Sequence, residues 1–150
     1  LSDPYGAPIC DVQDYSLSIS HKSSIALAII RRQPNANVGI DIEALAKPRV
    51  EIAPKVLTPN EMEDLNALNE SRRWTSLLLR FSTKESIYKA LAPTHWRRIG
   101  FDEAEVFPCP DGQCQIELKL NREPIPESLQ ARYIWHDNFV ITTVLAKWSS

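Results

Sequence analysis

Glu85 and Lys89 stand out because of the helical pattern that surrounds them. Trp74, Leu78 and Phe81 recur at the 3.6-residue period of an α-helix, and Glu85 falls within their apolar stripe. A buried carboxylate is unfavourable unless a cation or hydrogen bonds meet it. Either Lys89, one turn further on, or a metal ion would supply that charge. The alternative is an exposed i,i+4 pair of these two residues, worth only about 0.2 to 0.5 kcal/mol.

Two further carboxylates occur in the stretch from Val38 to Glu43. Side chains alternate along a strand, so Gly39, Asp41 and Glu43 share one face. Carboxylates this close repel each other unless a cation lies between them. Oxygen ligands without His or Cys suit Mg²⁺, which leaves its remaining positions to water and substrate phosphate. An exposed, solvated acidic face is the simpler interpretation of this short pattern taken alone.

Two helices are predicted after Glu43. Pro54 limits the segment before the first helix to a turn or a short helix. Thr58 and Glu61 then form a capping box, with Pro59 at the first helical position, and the helix runs to about Leu68.

The second helix is the long one that carries Glu85. Ser71 can cap its start, and it should end before Pro93. Three apolar residues lie on the side away from its main stripe: Leu79, Ile87 and Ala90. We expect this second apolar face, together with the edge near residues 6–21, to pack against another α/β unit, because an isolated domain of this size should not expose it.

The chain before Val38 is predicted to hold a loop and two strands. Residues 1–14 contain Pro4, Gly6 and Pro8 and show no period. From Tyr15 to Ser20, apolar side chains alternate with serines, which predicts a half-buried strand ending at His21. Such a histidine is either a polar surface residue or a ligand contact. The segment 24–31 is apolar and β-branched enough for a buried strand.

Beyond the long helix the period changes to two. Residues 103–107 and 113–120 flank Asp111-Gly112, and residues 131–135 and 139–146 flank Asp137-Asn138. Both patterns predict hairpins. The order β-β-β-α-α-β-β-β-β indicates an α+β fold, with one long helix against a mostly antiparallel sheet.

Composition restricts the class of protein. A chain of 150 residues is sufficient for one domain, and 43% hydrophobic and 24% charged residues are ordinary for a soluble protein. The net charge of −2 gives no indication of nucleic acid or an anionic membrane as a partner. No apolar run approaches the roughly 20 residues needed to span a bilayer, and no signal peptide is apparent, so we expect a cytoplasmic protein. Three cysteines make no disulfide framework; Cys109 and Cys114 flank a turn and are expected to be reduced, and zinc-ligand spacing is absent.

Four segments together resemble the Sfp-type 4′-phosphopantetheinyl transferases, and the enterobactin-synthase type most of all. The segments are YGAP at 5–8, SISH at 18–21, VGIDIE at 38–43 and FSTKESIYKA at 81–90. They occur in the family's order and at compatible spacing. The resemblance covers essentially residues 1–150, which correspond to about the C-terminal two-thirds of a typical member.

The resemblance implies transfer of 4′-phosphopantetheine from coenzyme A to a serine of an acyl or peptidyl carrier protein, with release of adenosine 3′,5′-bisphosphate. Asp41, Glu43 and Glu85 would be the Mg²⁺ ligands. Lys89 would hold the pyrophosphate and assist the leaving group, with Lys84 beside it. Either Glu85 or a metal-bound water would accept the proton of the serine.

The resemblance also implies contacts to the rest of coenzyme A. His21, helped by Ser20, would contact a phosphate, and Gly6, Ala7 and Pro8 would lie against the adenine end. Some members have Lys or Arg where this chain has Ala7, so one contact is in doubt.

The family's fold has two similar α/β halves with the active site between them, and the first half is absent from this sequence. We therefore expect either a domain cut from a longer protein, which we prefer because the sequence begins with Leu1, or association of several copies. The alternative function is a non-catalytic module that binds coenzyme A or a carrier protein.

Overall fold

The structure is a computed structural model that describes residues 8, 10–95 and 99–149. Its strands are β1 (Tyr15–Lys22), β2 (Ile25–Arg32), β3 (Ala36–Ala44), β4 (Ala104–Pro108), β5 (Gln113–Leu118), β6 (Ser128–His136) and β7 (Phe139–Lys147). Its α-helices are α1 (Ala53–Val56), α2 (Pro59–Ala67) and α3 (Glu70–His95), with 3₁₀ turns at Val50–Ile52 and Phe101–Glu103. None of the described helices is long and apolar enough to cross a membrane.

The strands form two antiparallel sheets. Strands β1 and β2 make a two-stranded ribbon, and the other five lie in the order β3-β7-β6-β5-β4 with α3 packed on β3 and β7. This arrangement confirms the predicted α+β class and both predicted hairpins. Gly112 (φ 84°) and Asp137 (φ 50°) take the positive φ angles that the tight turns of these hairpins require.

The capping box that opens α2 is present as predicted. The Glu61 amide donates to the Thr58 hydroxyl, and the Thr58 amide donates to Glu61 Oε2 at 2.9 Å. Pro59 occupies the first helical position, where an amide hydrogen is not needed. Local chemistry alone therefore determines where this helix begins.

Helix α3 differs from the prediction at both ends. It starts at Glu70, so Ser71 lies inside its first turn, and it continues through Pro93 to His95. Pro93 removes one intrahelical hydrogen bond, and the helix continues for only two residues beyond it.

The face of α3 predicted to be exposed is buried within this chain. Leu79, Ile87 and Ala90 are 6%, 1% and 0% exposed. Leu79 packs with Val140 of β7, and the other two join the core between the helix and the sheet. Another cluster, which includes Leu77, covers the opposite side of the helix with residues of α1 and α2. The prediction was wrong because the chain's own elements cover α3 on two sides.

Gly39 allows β3 to approach α3 closely. A Cβ atom at this position would lie 1.9 Å from the Ser86 carbonyl oxygen and 2.9 Å from the Ala90 amide nitrogen. Both neighbours are helix backbone and cannot move aside. The strand face shared by Gly39, Asp41 and Glu43 is therefore the face that meets the helix.

The β1–β2 ribbon has the reverse of the expected orientation. Ser16, Ser18 and Ser20 are buried, whereas Ile19 of β1 and Ile30 of β2 are 46% and 63% exposed. No residue of β2 is buried, so its predicted burial was wrong.

The serines point inward because β3 is an edge strand whose outward amides need acceptors. The hydroxyls of Ser16, Ser18 and Ser20 accept from the amides of Val38, Ile40 and Ile42 at 3.0, 3.1 and 3.3 Å. We call this set of contacts the serine ladder. In the serine ladder, side-chain hydroxyls accept the hydrogen bonds of the edge amides, which the backbone carbonyls of a further strand would otherwise accept.

Candidate functional site

Asp41 lies at the junction of β3 and α3. Its side chain is buried, and both carboxylate oxygens have donors from the helix. Ser82 Oγ donates to Oδ2 at 2.9 Å, and Lys89 Nζ donates to Oδ1 at 2.9 Å. The two helix residues are seven apart, about two turns, so they lie on one face of α3. Lys89, which the sequence analysis considered as a partner of Glu85, thus donates to Asp41.

The ribbon supplies a further donor to the same carboxylate. Ser20 Oγ donates to Asp41 Oδ1 at 3.0 Å, at the end of the serine ladder. Next to it, Lys22 Nζ lies 2.6 Å from Glu43 Oε2, and the side chain of His21 is exposed. The structure therefore brings Ser20, Asp41 and Lys89 into direct contact and places His21 and Glu43 at the adjoining surface.

A network of buried hydroxyl groups from α3 and β7 reaches Asp41 through Ser82. Ser82 Oγ lies 3.0 Å from Thr142 Oγ1, which donates to the Ser82 carbonyl oxygen at 2.9 Å. Ser86 Oγ lies 2.7 Å from the same Thr142 oxygen. The sequence analysis missed these three residues. Their signal was the presence of hydroxyl side chains among apolar positions of the long helix and the last strand.

Glu85 borders a cavity along α3 that Lys84 also lines. The cavity is about 360 Å³ and has mostly apolar walls, which include Ile87, Tyr88, Ile99 and Phe101. Glu85 itself is half-buried. A carboxylate at the rim of such a cavity can act on a group held inside it.

The three carboxylates predicted as metal ligands are not gathered into one cluster. Within the described ranges, no group of three or more His, Cys, Asp or Glu side chains is placed to hold a metal ion. Lys89 and Lys22 neutralise the two strand carboxylates in this state, at 2.9 and 2.6 Å. The donor chemistry is nevertheless that of a hard cation, since all three groups offer carboxylate oxygens.

Lys84 points to the other side of α3 from Asp41. Its ammonium donates to Glu61 Oε2 at 2.6 Å and to the carbonyl oxygens of Val56 and Phe101 at 2.8 and 2.7 Å. All three protons of the ammonium are thus used. Burial lowers the pKa of Lys84, and the hydrogen bond to Glu61 partly offsets this. These contacts give Lys84 a structural role. Its side chain also lines the cavity beside Glu85, and the coenzyme A contact implied by the resemblance stays a prediction.

A second buried carboxylate adjoins this ion pair. Glu105 Oε1 accepts from Lys119 Nζ at 2.8 Å and from the Thr58 hydroxyl at 2.6 Å. The hydrogen bond from Lys119, together with those from Thr58 and Asn60, lowers the pKa of Glu105. The alternating pattern of residues 103–107 gave no indication that the Glu105 side chain is buried.

Of the three residues predicted at the adenine end of coenzyme A, the structure describes Pro8. Gly6 and Ala7 fall outside the described residues, and Pro8 is half-buried. Cys10, Cys109 and Cys114 are free thiols, as expected. Burial raises the pKa of Cys114 to about 11, so this thiol stays neutral.

Comparison with known sequences identifies one family. A model of the 4′-phosphopantetheinyl transferase superfamily matches residues 37–144. Enterobactin synthase component D of Salmonella typhimurium is 32% identical over 136 residues, which are 86% of this chain and 55% of that protein. The 4′-phosphopantetheinyl transferase of Bacillus subtilis is 29% identical over 121 residues, 80% of this chain and 52% of that protein. The chain spans about half the length of these curated relatives.

Solved structures share the fold at lower identity. The holo-[acyl-carrier-protein] synthase of Thermotoga maritima has a TM-score of 0.61 at 20% identity, over 75% of this chain and 63% of that one. A Chronobacterium ammoniagenes ACPS–CoA complex has a TM-score of 0.61 at 19% identity, over 77% of this chain and 98% of that one.

Proposed function

This chain belongs to the 4′-phosphopantetheinyl transferase superfamily, and on that basis we propose that it transfers 4′-phosphopantetheine from coenzyme A to a serine of a carrier protein. The bond between the two coenzyme A phosphates breaks, the serine oxygen joins the phosphorus of the pantetheine side, and adenosine 3′,5′-bisphosphate leaves. The observation that carries this proposal is the buried Asp41, which Ser20, Ser82 and Lys89 hold at the junction of β3 and α3. These contacts place the Lys89 ammonium and the Asp41 carboxylate together where β3 meets α3.

Lys89 is suited to stabilise the departing phosphate. Its side chain is one-quarter exposed, and its acceptors, Asp41 Oδ1 and the Ile40 carbonyl oxygen, both lie at 2.9 Å. A lysine carries its charge on a flexible stem, so it can exchange one acceptor for a phosphate oxygen without leaving the site. Stabilising charge that develops in the transition state is the usual role of such a group.

Asp41, Glu43 and Glu85 would hold Mg²⁺ when the substrate is bound. Their oxygens suit the ion, and Lys22 and Lys89 would then have to release the strand carboxylates that they neutralise here. The bound ion would neutralise the pyrophosphate and orient it for in-line attack.

The apolar cavity beside Glu85 is a suitable place for the pantetheine arm. Its walls include Ile87, Tyr88 and Phe101, and its volume of about 360 Å³ suits an extended chain of this size. Placing the arm there leaves the phosphate at the rim, next to Glu85. Either this carboxylate or a water molecule would accept the proton of the carrier serine.

A second α/β unit would complete the coenzyme A site. The outer face of the ribbon leaves Tyr15, Ile19 and Ile30 at 38%, 46% and 63% exposure, close to Ser20 and His21. An apolar face of this kind indicates a contact surface. Either a preceding half of a longer protein or a second copy of this chain would cover it.

The deciding experiment is transfer to an apo carrier protein, followed by the gain in carrier mass. Wild type should load the carrier in a Mg²⁺-dependent reaction, alone or in a longer protein containing the chain. Lys89→Ala should slow turnover on the order of 100-fold or more, with coenzyme A still bound. Lys55→Ala, an exposed lysine elsewhere, is the matched control. Binding of coenzyme A without any transfer would instead identify a non-catalytic module.

A further inference from the structure

A second pocket lies along the N-terminal half of α3, away from Asp41. We propose that it binds a small oxyanion, a phosphate monoester or a carboxylate, carried on an aromatic or aliphatic body. The pocket, which we call the Arg80 groove, is about 580 Å³ and runs between α2, α3, the β4–β5 turn and β6. The residues of α3 that line it span Arg72 to Arg80, whereas those that meet Asp41 span Ser82 to Lys89.

Arg80 is a buried cation with incomplete compensation. The residue is 6% exposed, and its guanidinium has five N–H donors. Nη1 donates to Ser76 Oγ, and Nη2 lies 3.6 Å from Asp64 Oδ2, which is too long for a strong hydrogen bond. Among the described residues, Nε has no partner. Burial lowers the pKa of Arg80, and the charges of Glu61 and Asp64 only partly offset this.

A buried cation of this kind is unfavourable unless an anion and further acceptors meet it. Asp64 compensates little of the Arg80 charge, because the Asp64 side chain is about half exposed. A bidentate oxyanion matches the fork of a guanidinium better than a single hydroxyl does. Small rotations of the Arg80 side chain would turn its unused donors towards an anion in the groove.

The other walls of the groove indicate what the anion is attached to. Leu68, Leu79, Tyr133 and Trp135 provide apolar and aromatic surface, while Thr75 offers a hydroxyl. Ligand sites for small molecules typically combine such walls with a few polar groups and have volumes of about 300 to 1,000 Å³. The combination favours an organic anion over inorganic phosphate.

The test follows the indole N–H signal of Trp135 in ¹H–¹⁵N spectra, assigned by its loss in Trp135→Phe. Phenyl phosphate and benzoate are the probes, phenol is the neutral match, and inorganic phosphate lacks the body. At least one aromatic anion should shift the signal saturably, and phenol and inorganic phosphate should bind more weakly. The two anions distinguish phosphate from carboxylate specificity.

Three variants test whether binding, followed by the Trp135 signal, depends on the charges of Arg80 and Asp64. Arg80→Met should weaken binding on the order of 10-fold or more. Asp64→Asn, which removes a competing carboxylate, should tighten it by about 2- to 5-fold and does not depend on the stability of the first variant. Arg31→Gln, an exposed charge on the ribbon, is the control and should bind like wild type.

The groove is separate from the proposed transfer site, so Asp41→Ala should leave the Trp135 shift unchanged even if transfer is lost. The proposal is overturned if neither aromatic anion shifts the signal, or if phenol binds as tightly as both anions. It is also overturned if Asp64→Asn and Arg80→Met leave the affinity unchanged.

Discussion

Replacing Lys84 by methionine separates a structural role from a role in substrate binding. Methionine keeps most of the apolar stem and removes the ammonium that joins Glu61, Val56 and Phe101. The Glu61 carboxylate, which is 0% exposed, would then keep the amide donors of Thr58 and Val106 among the described residues. Breaking a buried ion pair in this way costs about 3 to 5 kcal/mol, a large part of the roughly 5 to 15 kcal/mol that stabilises a domain.

Urea unfolding followed by tryptophan fluorescence measures this loss, with the slope of the transition unchanged. The double variant Lys84→Met/Glu61→Gln should lose about 1 to 3 kcal/mol less than the sum of the single variants, because no buried carboxylate remains unpaired. Lys55→Met, an exposed lysine, should change stability by no more than about 0.5 kcal/mol.

The same variants decide the function of Lys84. If the ammonium acts only on the fold, the folded fraction of Lys84→Met should keep the wild-type KM for coenzyme A. A loss of stability below about 1 kcal/mol, together with a raised KM, would refute the structural assignment and restore the role implied by the resemblance.

Three further predictions concern other parts of the fold. Gly39→Ala should lower stability by about 1 to 3 kcal/mol or more in thermal unfolding, because its Cβ would lie 1.9 Å from the Ser86 carbonyl oxygen. Ser18→Ala should cost about 1 to 3 kcal/mol and accelerate hydrogen exchange at Ile40, whose amide loses its acceptor. Glu105→Gln should flatten the acid limb of the stability profile. Hydrogen bonds lower the pKa of this carboxyl, so its contribution is complete above about pH 4.3 and is lost as the pH falls through the folded-state pKa.

The glycine and serine variants each have a matched control. Gly112→Ala also strains the backbone, but in a turn at φ 84°, so it should leave the contact between β3 and α3 intact. Ser24→Ala, at an exposed serine, should not change exchange at Ile40. Unchanged exchange at Ile40 in Ser18→Ala would contradict the serine ladder, and an unchanged acid limb in Glu105→Gln would contradict the pKa assignment.

The features that the sequence determined are those with a local cause. The capping box of Thr58 and Glu61 involves residues three apart, and both hairpin turns are specified by the residues at their tips. Alternation along β3 was sufficient to place Gly39, Asp41 and Glu43 on one face, and the period of α3 was sufficient to find the long helix.

The features that required the tertiary structure depend on what each face meets. Alternation in β1 showed two faces but not which one is buried. The serines turn inward because an edge strand offers amides that polar side chains can satisfy and apolar ones cannot. Lys84 and Lys89 are five residues apart on one helix, yet one joins Glu61 and the other Asp41. Their partners lie 23 and 48 residues away along the chain, so only the packing of α3 between its neighbours assigns one lysine to the fold and the other to the candidate site.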